Sequence, residues 1–169
     1  MKSLFKILAI SAAVVMSGSL AHADESEFLR TLDGSWRGKG EVKIRTNRKP
    51  INVTCDFTSS GKGAAFLLDG RCRGLIVVSR KIRADLKARG NSYSGAYIGA
   101  GTGTAGLSGK RRGDTINLSV RWAKEVNGDR QAQMRVEKLN QNAMRLTTID
   151  KDPATGRNVV TSDIKLQRR

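Results

Sequence analysis

The sequence predicts an all-β domain: an antiparallel meander of about 8–9 strands closed as a barrel or strongly curved sheet, with a short N-terminal helical turn. Three observations predict it. Apolar residues recur at every second position through most of the chain, turn residues punctuate these runs, and no long helical period interrupts them. An open meander leaves two unpaired edges, and closure into a barrel removes both.

The first element reads as an export signal. Lys2 and Lys6 form a basic n-region, Ile7 to Met16 is an apolar run broken only by Ser11, and Ala21-His22-Ala23 supplies a small-residue cleavage site. The apolar run falls short of the roughly 20 residues that span a bilayer, and nothing downstream reaches that length. The expectation is a cleaved signal peptide over 1–23 and a periplasmic protein of one β-barrel domain over 24–169, with no transmembrane segment in the mature chain. Loss of Lys2 and Lys6 takes the formal charge from +16 to +14. So one-sided a charge favours anionic partners, which in an envelope are lipid and polysaccharide.

Ser26 to Leu32 reads as one or two helical turns, capped by Ser26 and carrying Phe28, Leu29 and Leu32. From Trp36 the period is two. Trp36, Gly38, Gly40, Val42 and Ile44 alternate with Arg37, Lys39, Glu41, Lys43 and Arg45; after Pro50, Ile51, Val53, Cys55 and Phe57 alternate with polar residues. Phe66, Leu68, Gly70 and Cys72 continue the pattern into the apolar run Leu75 to Val78. Ile82, Ala84, Leu86 and Ala88 fit a strand or a short helix, and the Gly90-Asn91 turn followed by Tyr93, Gly95 and Tyr97 favours the strand. Ile116, Leu118, Val120 and Trp122 form the clearest strand, ending near a hairpin turn at Asn127-Gly128. Met134 and Val136 lie in the next, Met144, Leu146 and Thr148 return, and Val160, Ser162, Ile164 and Leu166 close the chain after turns at Asp152-Pro153 and Gly156.

Chemistry is constrained by what the mature chain lacks. Its only histidine, His22, leaves with the signal, and with it go the usual general base, the Ser-His and Cys-His pairs and the commonest metal ligand. No cofactor, metal or catalytic residue is therefore expected. Cys55 and Cys72, the only cysteines, are expected to form a disulfide in an oxidising compartment. Asp56, Asp85 and Asp163 fall on outward positions, and Asp33, Asp69, Asp114, Asp129, Asp150 and Asp152 near turns, where carboxylates shape the backbone.

The stretch GAGTGTAGLSGKRRGD, residues 99–114, contains the spacing G-x-G-x-x-G at Gly101, Gly103 and Gly106. A dinucleotide fingerprint needs a helix to follow, whereas here further glycines and then a strand follow. The stretch reads as a connection between strands whose edge cations, Lys110, Arg111 and Arg112, offer an anion-binding nest at a barrel rim.

Gly34-Ser35-Trp36 after a short helical turn, with a cation-rich last strand Ile164-Lys165-Leu166-Gln167-Arg168, resembles the lipocalin-like or calycin barrels. The resemblance implies that the tryptophan plugs the closed barrel base with a basic side chain across its ring; the matching positions are Gly34, Trp36 and either Lys165 or Arg168. The longer run Gly34 to Gly40 is also similar to the opening of nitrobindin-like haem binders, whose haem is held by a histidine that this mature chain lacks. The stretches CRGLIVVSRKIRADL and INLSVRWAKEVNGDR resemble a group of exported alphaproteobacterial proteins, which implies an envelope setting and no activity.

These readings converge on a periplasmic binding or envelope-maintenance protein. Its basic surface, including Lys43, Arg45, Arg48 and Lys49, would meet anionic lipid or polysaccharide, and its interior, with Tyr93 and Tyr97 as candidate cavity lining, would hold a small apolar ligand. Nucleic acid is disfavoured because the few aromatics point inward, leaving no stacking platforms. The rivals are a histidine-free enzyme using paired carboxylates on a glycan, and a structural or inhibitory partner of another envelope protein.

Overall fold

A computed structural model describes residues 19–74, 78–99 and 101–169, with side chains from residue 24 onward. A helix, α1 (Ser19–Thr31), precedes ten strands: β1 (Gly34–Val42), β2 (Ile51–Lys62), β3 (Ala65–Gly74), β4 (Val78–Arg89), β5 (Ser92–Ile98), β6 (Ala105–Arg112), β7 (Thr115–Val126), β8 (Asp129–Asn140), β9 (Ala143–Lys151) and β10 (Asn158–Arg168). Each strand pairs antiparallel with its sequence neighbours, and β1 pairs with β10 to close the barrel.

Two expectations are revised. The barrel has ten strands because the second half of the glycine-rich stretch is itself a strand, β6, rather than a connection. Ala105 and Leu107 face inward while Gly106 and Ser108 face out, so the period of two persists beneath a loop-like composition. Ser26 sits inside α1 instead of capping it, because the helix begins at Ser19. Of the expected signal peptide, residues 1–18 lie outside the described residues, and Ala21-His22-Ala23 falls in the first turns of α1. Leu75, Ile76 and Val77 of the expected apolar run also lie outside the described residues; Val78 opens β4.

The meander gives the barrel two unlike ends. The tight turns β2–β3, β4–β5, β6–β7 and β8–β9 and the chain end after β10 gather at one end, where α1 also lies. Phe28, Leu29 and Leu32 of α1 are buried there with Trp36. Gly61 on β2 lets the helix approach: a Cβ at that position would collide with the Leu29 carbonyl. Above this plug the core is filled by Phe57, Phe66, Leu86, Ile116, Leu118, Met144 and Leu166. The opposite end carries the connections after β1, β3, β5, β7 and β9, and among the described residues no helix plugs it.

Inward glycines set the curvature. A Cβ at Gly38 or Gly40 would overlap the backbone carbonyls of Lys165 or Asp163 on β10, and one at Gly95 would overlap that of Asp85 on β4. These glycines therefore permit strands to press together in a strongly coiled sheet; they do not open room for a ligand.

Cys55 on β2 and Cys72 on β3 face each other directly in the register and are disulfide-bonded, with Cα atoms 4.1 Å apart. The bridge closes a short loop with a sequence separation of 17, for which the chain-entropy model gives about 3 kcal/mol. Replacing both cysteines by serine is expected to lower the free energy of unfolding by about that amount in a urea titration. An unchanged midpoint would show that β2–β3 pairing holds this hairpin without the bridge.

Candidate functional site

The two ends of the barrel treat their polar groups differently, and that contrast locates the candidate site. At the closed end every strong charge among those packed under α1 is engaged. Trp36 is buried, and its indole N–H donates to the Ser59 hydroxyl at 2.8 Å and the Leu32 carbonyl at 3.2 Å. The Arg168 guanidinium lies 4.3 Å over the Trp36 ring and also donates to the carbonyls of Thr31 at 2.8 Å, Gln141 at 3.1 Å and Asp33. Strand alternation selects Arg168: residues 164, 166 and 168 turn inward, whereas Lys165 is exposed on the outer face. Gly34 is required beside it, because a side chain there would collide with the Arg168 guanidinium.

A second closed-end cluster centres on Glu25 of α1, which is buried. Tyr93 donates its hydroxyl hydrogen to Glu25, and Arg111 donates from Nε at 2.9 Å while reaching Asp24 with its other arm. The Arg111 guanidinium also lies 4.6 Å over the Phe28 ring. Burial alone would weaken the Arg111 charge, but Glu25 and Asp24 outweigh it and strengthen its hold on the proton. Burial and the adjacent Glu25 carboxylate push the Tyr93 hydroxyl far up. Two expectations are thereby corrected. Arg111 points inward and is committed to an internal carboxylate, so it is not a free anion contact, and Tyr93 lies under the helix rather than in the cavity. Lys110 and Arg112 are exposed on the outer face of β6 at this same closed end.

The open end holds a cavity of about 290 Å³. Val42, Ile51, Val53, Val78 and Ile82 form an apolar wall from β1, β2 and β4, with Cys72 of the disulfide between them. The facing wall, from β7 and the turn after it, β9 and β10, carries the polar groups of Trp122, Asn127, Thr148, Asp150, Thr161 and Ser162 among the apolar Val126 and Ile164. Tyr97 stands between the walls, edge-on to Trp122 with ring centroids 6.0 Å apart, and burial pushes its hydroxyl up to about 12. A smaller void of about 50 Å³ continues below, bounded by Phe57, Phe66 and Leu118.

Asp150 is the buried acid of this cavity and the single carboxylate among its described lining residues. The sequence reading placed it near a turn, but it continues the inward series Met144, Leu146, Thr148 and projects into the barrel. A register shift in β10 between Val160 and Ser162 turns Thr161 inward beside it, and the Thr161 hydroxyl donates to Asp150 Oδ2. Burial pushes the Asp150 carboxyl up; Thr161, Asn127 and the nearby Trp122 indole offset part of that rise. Even so, Asp150 Oδ1 and Trp122 Nε1 are both buried with no hydrogen-bond partner among the described residues. Alternation marks Asp150 in the sequence once β9 is extended by two residues. Nothing in the sequence marks Thr161, because the register shift changes the phase of β10.

The cations expected to meet anions are divided between the two ends. Lys43 lines the cavity mouth, and Arg45, Arg48 and Lys49 are exposed on the β1–β2 connection beside it. This connection is tied down at Thr46, whose N–H donates to Asn127 Oδ1 at 3.2 Å and whose hydroxyl supports Asp152. Arg80 also lines the mouth. Four exposed large apolar residues, Ile44, Val78, Ile98 and Val160, lie at this same end.

No family model matches the chain, and no curated protein matches it. Among solved structures it is similar to the crystal structure of Rv2717c from M. tuberculosis, with a TM-score of 0.64 at 15% identity, over 89% of this chain and 98% of that one. Likeness at this identity shows the fold, a small β-barrel.

The environment of Asp150 predicts a pH-dependent cost. Because folding raises its pKa, the acid costs nothing at a pH where both states are protonated. The cost develops as pH rises from the ordinary aspartate range through the raised folded value, and it persists above. Asp150→Asn is therefore expected to raise the melting temperature at neutral pH, with the gain shrinking to nothing in acid below the ordinary aspartate range. A gain that is equal at all pH values would place its origin outside this ionisation.

Proposed function

We propose that the protein is an exported, lipocalin-like binding protein of the bacterial envelope that holds a small, largely apolar ligand in its open-end cavity and docks that end on anionic lipid. The observation that carries the reading is the cavity itself, about 290 Å³ and roofed by no helix among the described residues, with an apolar wall facing one that carries the polar groups. That volume is at the lower edge of the range for small-molecule sites. Docking is supported by what surrounds the mouth. Ile44, Val78, Ile98 and Val160 are exposed there, beside Lys43, Arg45, Arg48, Lys49 and Arg80. Apolar tips that enter a headgroup layer together with cations that meet its phosphates suit a membrane surface better than a hydrated polysaccharide. The periplasmic setting rests on the basic and apolar pattern of residues 1–23.

The enzyme reading has less support. Glycoside hydrolysis by paired carboxylates needs two acids across one site, and the described cavity lining offers Asp150 alone. Two of the three outward acids are occupied elsewhere, Asp56 with Arg37 and Arg73 and Asp163 with Arg145, and Asp85 is exposed on the outer face of β4.

Two measurements on protein taken gently from its host envelope test the proposal. Native mass spectrometry is expected to show a reproducible added mass that denaturation releases; a bare mass in every preparation would remove the carrier reading. Vesicles containing phosphatidylglycerol should bind the protein, with binding that fades as salt rises and weakens on Ile44→Asp. Binding to acidic polysaccharide but not to vesicles would move the docking partner to a glycan.

A further inference from the structure

The binding reading can be carried to the chemistry of the ligand's polar end. Asp150 and Trp122 are each 3% exposed or less, both line the open-end cavity, and each keeps one polar atom without a partner among the described residues. The two atoms are opposite in kind. Trp122 Nε1 can only donate, whereas Asp150 Oδ1, its sister oxygen already taken by Thr161, is the acceptor that remains. The indole N–H acts on Asp150 as a nearby hydrogen-bond donor that lowers its proton affinity, yet the two do not reach hydrogen-bonding geometry. Donor and acceptor therefore stand side by side in the same wall with neither satisfied. Leaving two such groups unpaired in a buried site costs free energy that a matching ligand group recovers.

We propose that Trp122 and Asp150 form a donor–acceptor pair that recognises a hydroxyl group on an otherwise apolar ligand. A hydroxyl oxygen accepts from the indole N–H while its hydrogen is donated to Asp150 Oδ1. A carboxylate has no hydrogen to give and meets the acid's charge. An ammonium has no lone pair for the indole. A hydrocarbon leaves both groups unpaired. The rest of the cavity agrees with an apolar body carrying one polar edge. Its far wall is Val42, Ile51, Val53, Val78 and Ile82, so the hydroxyl would be held by β7 and β9 while the body rests against β1, β2 and β4. The assignment rests on the reading of the cavity as a ligand site.

The test uses the purified protein and four probes on one skeleton: 2-naphthol, naphthalene-2-carboxylate, 2-naphthylmethylammonium and 2-methylnaphthalene, with affinities from ligand-observed NMR. 2-Naphthol is expected to bind about tenfold more tightly than 2-methylnaphthalene, the ratio that two modest hydrogen bonds supply. Two variants separate recognition from folding. Trp122→Phe removes the donor and should bring naphthol within about twofold of methylnaphthalene. Asp150→Asn turns the free acceptor into a second donor and should reverse the preference toward the carboxylate, an outcome that a merely structural Asp150 would not produce. Equal binding of all four probes would overturn hydroxyl recognition while leaving the cavity as an apolar site. Preference for the carboxylate in the unaltered protein would overturn it in favour of Lys43 and Arg80 at the mouth. Failure of every probe to bind would remove the cavity reading together with this one.

Discussion

The barrel depends on a single seam. Nine of its ten strand pairings join chain neighbours through short local connections, but β1 and β10 must meet across the whole length of the domain. At the closed end of that seam Trp36 and Arg168 are register partners, and the guanidinium over the indole ring ties the first strand to the last. The same guanidinium donates to carbonyls at the end of α1 and in the β8–β9 turn, so one side chain fastens helix, seam and turn together. A cation over an indole contributes about 0.5–2 kcal/mol, and the bonds to otherwise unsatisfied helix-end carbonyls add to it. Gly38 and Gly40 serve the same seam by letting β10 press against β1.

Fastening one end leaves the other free for function. Beneath α1 the buried Glu25 is matched by Tyr93 and Arg111, and breaking such a pair from one side generally costs about 3–5 kcal/mol, because a charge is then buried alone. Polarity at this end is satisfied internally and serves the fold. At the open end the buried polar atoms of Trp122 and Asp150 remain unmatched, and the apolar side chains Ile44, Val78, Ile98 and Val160 face solvent. Both features work against stability in an isolated monomer. They are the kind of local inconsistency that a site for another molecule explains.

The strong positive charge belongs to the exterior of the sheet. Arg83, Lys87, Arg121 and Arg135 stand on the outer face because an apolar residue on either side points inward. Only part of this charge is neutralised by neighbouring acids, as where Arg145 meets Asp163 and holds its carboxyl below the ordinary range. The rest is a solvated field that steers anions toward the molecule, with little bearing on the fold itself.

The all-β class, the closed meander, the disulfide pair and the tryptophan at the first strand were legible in the sequence, because a period of two and punctuating turns are local properties. Even the choice of Arg168 over Lys165 follows from counting two residues on from Leu166. The strand β6 was concealed because Gly106 and Gly109 look like loop residues; at Gly109 a Cβ would overlap the Asn117 carbonyl of β7, whereas Gly106 faces open space on the outer side. Tertiary structure alone decided which inward residues reached the plug and which reached the cavity: Tyr93 and Tyr97, four residues apart on one face, ended in different layers. It also decided that Arg111 would meet Glu25, and that a register shift would bring Thr161 to Asp150. Alternation assigns a side chain to a face, but height along the barrel and the identity of neighbours are set by strand stagger and closure, which involve residues far apart in the chain.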